Sequence, residues 1–391
     1  MMESGYTLKI DKDQRIVLLP GTRVCMLRNK NLIAGNDRSV FRNNPDTNIV
    51  VDGGIWDALN YSYAITNSGG FASDAENPIK GATAMMLFSN VEDVIIKNIT
   101  FINSTIFAVK ISNAEGLYIS DIVFENYHKD GIHVNGPTSY GIIRNLTGEN
   151  MGDDMVAFNA WDWETSAMTF GCIEYVLAEN LKSTHNEFRL LPGRKTYADK
   201  TSTECPINNC IIRNVEGVYT FKLYGQPNCN KLEDCSEIMG NIENVYFDNI
   251  KFPEVTDKGL GNIPVSALFE VCADTNNIHL DNILIDNTAD EFKATGVNLV
   301  NSGPLSATWK KGNSQNPDDW TELFYPDATC EMNNTYIGEV TFTDKVAENC
   351  EKKDLLHEVQ MIVNEDYPNT TPKGGTGHGI INDVIFEKIN K

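Results

Sequence analysis

The stretch Val94-Ile95-Ile96-Lys97-Asn98-Ile99-Thr100-Phe101 decides the fold, because the chain keeps returning to it. The same apolar alternation around one Asn or Asp recurs as Leu117-Tyr118-Ile119-Ser120-Asp121-Ile122-Val123-Phe124 and as Gly141-Ile142-Ile143-Arg144-Asn145-Leu146-Thr147. Four further copies lie around Asn180, Asn214, Asn249 and Asn282. Aligned on that residue, the positions are 98, 121, 145, 180, 214, 249 and 282, with steps of 23, 24, 35, 34, 35 and 33. A base period near 23 is kept, and about eleven residues are added to the later units.

A period in this range implies a repeat architecture. Each unit alternates as a strand does and carries no helical spacing, which excludes helical repeats and leucine-rich horseshoes. The shortest units are too short for a four-stranded propeller blade. The pattern predicts an all-β, single-stranded parallel β-helix, with two or three short strands per coil and coils stacked about 4.8 Å apart. The Asn or Asp sits where the chain turns and can bond its counterpart one coil away, satisfying turn backbone. The added residues fall around Trp161–Phe170, Gly193–Pro206 and Gly225–Met239, one sector of successive coils, so loops are expected to wall one face. The whole chain is read as one domain. Residues 1–60 form N-terminal coils and a cap, 90–302 the regular coils with the functional face, and 303–391 C-terminal coils with insertions. The first strands are expected at Tyr6–Ile10, Arg15–Leu19, Val24–Arg28 and Asn48–Asp52, and the last at Val384–Ile389. An amphipathic helix is expected over Glu348–Val363, among decorations that cover the open end of the solenoid.

The composition narrows the partners. Lys plus Arg number 32 and Asp plus Glu 54, a net charge of −22. Nucleic acid and anionic membrane are poor partners for such a chain. No run reaches membrane-spanning length. The first residues show no export signal, so a cytoplasmic protein is expected, or a secreted or periplasmic one if a signal was trimmed. Nine cysteines are an odd count, which leaves at least one free or paired elsewhere. Cys205, Cys210, Cys229 and Cys235 cluster, but without the C-x₂-C spacing of a zinc site. Reduced loop cysteines are the expectation, and no metal or cofactor is assigned.

Stacking turns the repeat into geometry. Asp130 precedes the strand Gly131–Asn135, and Asp153-Asp154 precede Met155–Asn159 one coil on. Both strands end in Asn plus a small residue, which fixes the register. Thr184-His185-Asn186-Glu187 and Tyr219-Thr220-Phe221-Lys222 follow in later coils. One column should therefore hold three carboxylates, then His185, then Lys222. Three carboxylates a few ångströms apart cannot all ionise cheaply, so one should keep a proton beside ionised neighbours. That is the equipment for glycosidic cleavage, in which one acid protonates the leaving oxygen while another carboxylate activates water. Turn-capping Asp residues and a calcium site are the alternatives for the same residues.

These motifs resemble those of the polygalacturonase-type glycoside hydrolases of family 28, right-handed parallel β-helices of the pectin-lyase-like superfamily. Lys129-Asp130-Gly131, Gly152-Asp153-Asp154, Thr184-His185-Asn186 and Thr220-Phe221-Lys222 follow the order of that family's N-T-D-G, D-D, G-H-G and R-I-K. The likeness runs over roughly residues 45–290 and includes Asn48–Asp57. It implies an inverting hydrolase of a pectic or related glycan, with Asp153 as general acid and Asp130 and Asp154 holding the water. It further implies that His185 tunes the acid and Lys222 binds sugar. Thr220 stands where the family has Arg, and Arg189, Arg194 or Lys195 could take its place on an acidic sugar. Trp161 or Trp163 could stack on a sugar face. Glu187, His133 and Glu270 are further polar candidates on the same face. The walls point to a pocket and exo action on an oligo- or polysaccharide. A polysaccharide lyase, with a central basic residue and calcium, and a non-catalytic glycan-binding β-helix are the other two readings. The oligomeric state is left open.

Overall fold

A computed structural model describes residues 8–25, 32–34, 45–59, 84–104, 106–149, 152–162, 169–225, 237–252, 267–285, 299–305, 307–310, 320–324, 327–342, 355–360, 362 and 375–390. These residues are strands, bridges and turns, with no helix among them. The strands pair in parallel from coil to coil, and one register runs through the solenoid. Met86–Phe88 lies on Val109–Ile111, then come Ile132–Val134, Val156–Phe158, Phe188–Leu190, Phe221–Leu223, Phe269–Val271, Val300–Ser302 and Leu356–Glu358. This is a parallel β-helix, right-handed as parallel crossovers are. The sheet formed by these segments is called the site sheet below.

The coils bend at single residues. Asn98, Asp121, Asn145, Asn180, Asn214, Asn249 and Asn282 all have positive φ, between 52° and 58°. Asn and Asp tolerate that left-handed conformation better than other side chains. Their amides form the expected ladder: Asn180 donates to Asn145, Asn214 to Asn180 and Asn249 to Asn214, at 2.8–3.0 Å. Asn98 and Asn282 bond Asp52 and Asp248 instead, each one residue before the column. Asp121 has no amide to donate and accepts from Asn145. Asn214→Ala is expected to cost about 2 kcal/mol, from the left-handed backbone and the two lost bonds. Asn214→Gly should cost less, because it relieves the backbone; urea midpoints of the two variants check this.

Inward positions are Ile, Val, Leu and Phe, which stack into one continuous core. Phe188, Phe221 and Phe269 pile up with ring centroids 5.6 and 5.1 Å apart. The early strands are Leu8–Ile10, Arg15–Val17, Arg23–Cys25 and Asp46–Asp52, close to expectation, and the last is Val384–Asn390. The helix expected over 348–363 is corrected where the chain is described. Leu356–Glu358 is a strand that pairs with Val300–Ser302, because the open edge of a coil demands a backbone partner more strongly than local amphipathicity favours a helix. The Trp309 and Trp320 segments form an antiparallel pair, Ala307–Lys310 with Trp320–Phe324. The added residues do share a sector: the first two stretches follow Asn159 and Leu191, which pair across the site sheet. The second is an antiparallel hairpin of Gly193–Thr196 and Ser202–Cys205. Cys205 and Cys210 are buried strand residues with free thiols, not loop cysteines, and Cys229 and Cys235 lie outside the described residues.

Candidate active site

The site sits at the leading edge of the site sheet. Asp130 comes just before Ile132, and Asp154 opens the strand Asp154–Asn159 one coil on. Gly131 is required between them: a Cβ there would meet the Met155 carbonyl oxygen at 2.7 Å and the Phe124 ring at 2.7 Å. The register slips between Asp154 and Val156 against Glu187 and Phe188, and such bulges re-aim side chains. One oxygen from each of Asp130, Asp153 and Asp154 falls within 4.8 Å of the others. The carboxylates predicted from coil stacking are thus brought together. Asp130 and Asp154 are buried. Asp153 keeps 23 % of its side-chain surface exposed and is the member that faces solvent.

Two cations lie against them. Lys129 Nζ is 2.8 Å from Asp153. Arg189 lies 3.1 Å from Asp154 and 3.8 Å from Asp153, and 3.7 Å from Glu187. Burial works against the Arg189 charge, but Asp154, Asp153 and Glu187 more than offset it and hold the guanidinium well above its ordinary value. The two adjacent carboxylates are pushed apart. Burial drives Asp154 well above the usual 3.8; Arg189 opposes this, while the charges of Asp130, Asp153 and Glu187 reinforce it. Burial also presses Asp153 upward, but Lys129 and Arg189 outweigh it and hold Asp153 below 3.8. Asp154, inside, thus holds a proton more readily than a free carboxyl, and Asp153, facing outward, ionises more readily.

The expected column is corrected one coil on. The residue paired with Asp154 is Glu187, not His185, because the strand Ile173–Leu191 shifts register twice between Lys182 and Glu187. His185 belongs to that strand, and its side chain lies outside the described residues. Glu187 and Lys222 are both buried and bind each other, and Tyr219 donates its hydroxyl to Glu187. They form a buried ion pair on the coils that follow Asp154. Thr220 is buried and donates to the Ala267 carbonyl at 3.1 Å. Arg189, aligned between Ala157 and Lys222, is the guanidinium that reaches the carboxylates. Arg194 is instead committed to Glu204 on the hairpin and to Glu237 outside it, and Lys195 lies over the Phe170 ring. Trp161 packs on the core beneath Gly193, and Trp163 lies outside the described residues. Glu270 extends the polar column beside Lys222 and accepts from the Tyr224 hydroxyl.

His133 proves more central than a lone strand histidine suggests. It is buried and stacked on Phe107 at 4.5 Å. Nδ1 is 2.6 Å from Asp130 and Nε2 is 3.1 Å from Asp162. Ionised carboxylates only accept, so with both aspartates ionised each ring nitrogen donates a proton. Burial and the neighbouring Lys110 charge press its pKa down, but the bonds to Asp130 and Asp162 prevail and hold it above 6.5. Lys110, fully buried one coil earlier in the same register, is itself pushed down to about 8, by burial against the pull of Asp162 and Asp130. Asp162 and Lys110 were not foreseen; the register Lys110 to His133 was the available signal for one of them. An imidazolium with a raised folded pKa stabilises fully below pH 6.5 and loses that contribution as pH climbs through the folded value. His133→Gln should therefore cost most below pH 6.5, and the gap to wild type should narrow above it, as denaturation at a series of pH values would show.

No protein family and no curated protein matches the sequence. Solved structures do match. A tailspike protein mutant of E. coli bacteriophage HK620 in complex with pentasaccharide aligns with 100 % of this chain and 58 % of its own, at 10 % identity and a TM-score of 0.52. A second mutant of that tailspike, in complex with hexasaccharide, aligns with 98 % of this chain and 55 % of its own, at 10 % identity and a TM-score of 0.50. The chain thus spans little more than half the length of these tailspike chains. A family 28 exopolygalacturonase of Yersinia enterocolitica aligns over 98 % of this chain and 71 % of its own, at 12 % identity, but its TM-score of 0.37 is too low to carry argument. What the tailspike likenesses establish is the fold, a right-handed parallel β-helix.

Proposed function

We propose that the chain is a glycoside hydrolase of the β-helix type, acting on an oligo- or polysaccharide of the pectic or a related class. The observation that carries this is the convergence of three carboxylates from neighbouring coils, one buried and shifted to hold its proton and another facing solvent. Asp153 meets the glycosidic oxygen and relays the proton resting on Asp154 to it as the C–O bond breaks. Asp130, fixed by His133, takes the proton of the attacking water. The family likeness in motif order supports the same set, and its finer content, family 28 and a pectic sugar, belongs to this proposal alone. A single displacement by water of this kind inverts the anomeric carbon, so inversion belongs to the proposal; the trio's oxygens, within 4.8 Å of one another, stand closer than the roughly 6.5–9.5 Å usual between an inverting acid and base.

A lyase is the second reading, and the central Arg189 is what favours it. A lyase base must give up its proton, however, and Arg189 is held well above its ordinary value by Asp154, Asp153 and Glu187. The positive charge a calcium ion would bring is already supplied by Lys129 and Arg189. Hydrolysis is the better account. A glycan-library screen with NMR of the products tests it. The expected outcome is a shortened saccharide with a new reducing end. An unsaturated product would mean elimination, and a bound but uncut glycan would mean a binding protein.

A further inference from the structure

A second feature runs the length of the solenoid, on the sheet that follows the site sheet in each coil. The outward position holding Ile95 holds Ile142, Ile211, Tyr246, Tyr336 and Ile385 in later coils, all aligned by strand register. Ile211 and Tyr246, in the middle, are each 40 % exposed, and Ile385 at one end is 63 % exposed. Scattered apolar residues on a surface are ordinary, but a continuous ridge is not. Its aromatic members stack on each other: Tyr246 on His279 at 4.3 Å and His279 beside Tyr336 at 5.2 Å. Rings stacked along the ridge turn edges outward, a poor platform for a sugar face and a good one for another apolar surface.

The charges beside the ridge identify the occupant. Two residues further along each strand lies a second outward column. Its first part carries Asp52, ion-paired to Lys97, and then Arg144 and Arg213 with the buried Glu179 between the two arginines. Its last part carries Asp248, Asp281 and Glu387. The strip therefore nets one positive charge over its first part and three negative charges over its last, within a chain of net charge −22. Only a partner with the reverse polarity fits it, and the same strip turned end for end has that polarity. We infer that this face is a two-fold interface between antiparallel copies of the chain. Arg144 and Arg213 of one copy lie against the Asp248 and Asp281 end of the other, with Ile211 and Tyr246 near the axis. An isologous contact of this kind closes on itself and does not propagate. Nine coils at about 4.8 Å and a strand segment about 13 Å wide give roughly 500 Å² per copy, or about 1,000 Å² in all, enough for a specific contact. Tyr140 and Tyr175, exposed and stacked at 5.3 Å on the adjoining bend, widen it.

Light scattering on a sizing column tests this with the full chain. The wild type should run at twice 43.6 kDa. Ile211→Asp with Tyr246→Asp should run as a monomer with its melting temperature retained. Arg144→Glu with Arg213→Glu should weaken the dimer about tenfold or more, and so should Asp248→Lys with Asp281→Lys. All four reversals together should restore it, because the polarity is inverted on both copies. A parallel pairing sets like charge on like in every variant and would not show this loss and recovery. A wild-type monomer throughout the accessible concentration range, a trimer, or a dimer untouched by the Ile211 and Tyr246 changes would overturn the inference.

Discussion

Asp153→Asn is expected to slow cleavage of the glycan substrate by about 10²–10⁴-fold, the usual contribution of a positioned proton-transfer group. The unfolding midpoint should barely move. Asp153 is the member of the trio that faces solvent, so an amide there leaves no buried charge stranded. Its partner Lys129 has 34 % of its side chain exposed and can turn to water. Loss of rate without loss of fold is the signature of a chemical role. The alkaline limb of the rate profile should report the raised Asp154, because activity falls once the shared proton is lost.

Arg189→Met is expected to be the most destabilising single change at the site, at about 3–5 kcal/mol, the range found when one partner of a buried charge group is removed. Arg189 reaches Asp154, Asp153 and Glu187 at once. Without it, only Lys129 and Lys222 remain against those charges. Arg189→Lys should recover part of the loss, since a single ammonium cannot span three carboxylates as the guanidinium does. Adding Asp153→Asn to Arg189→Met should recover more, because the ionised carboxylate that Arg189 offsets is then gone. Chemical denaturation of the four proteins gives the cycle, and additive costs would show that Arg189 and Asp153 are not coupled.

The backbone of this protein is legible in its sequence because the β-helix repeats one physical constraint. A left-handed bend returns in every coil, and only a few side chains suit it, so Asn98, Asn145, Asn180 and their counterparts mark the turns in plain view. Coil spacing then placed Asp130 beside Asp153 and Asp154 correctly. That legibility ends where the register shifts. The slips between Lys182 and Glu187 advance the strand, and Glu187 occupies the place read for His185. Asp162 was hidden for another reason: it sits between two tryptophans in an added segment, and only the folded chain carries it back to His133. Leu356–Glu358 was misread because the demand of an unpaired coil edge does not show in local periodicity.

The central claim is that water is added across a glycosidic bond at this carboxylate trio. Once a cleaved glycan is known, the most direct test is to run wild type and Asp153→Asn in water enriched in heavy oxygen and weigh the products. Wild type should give products that together gain one water, with the heavy oxygen in one of them, and Asp153→Asn should give almost none. Products that gain no water, or labelled products formed equally fast by Asp153→Asn, would contradict the account.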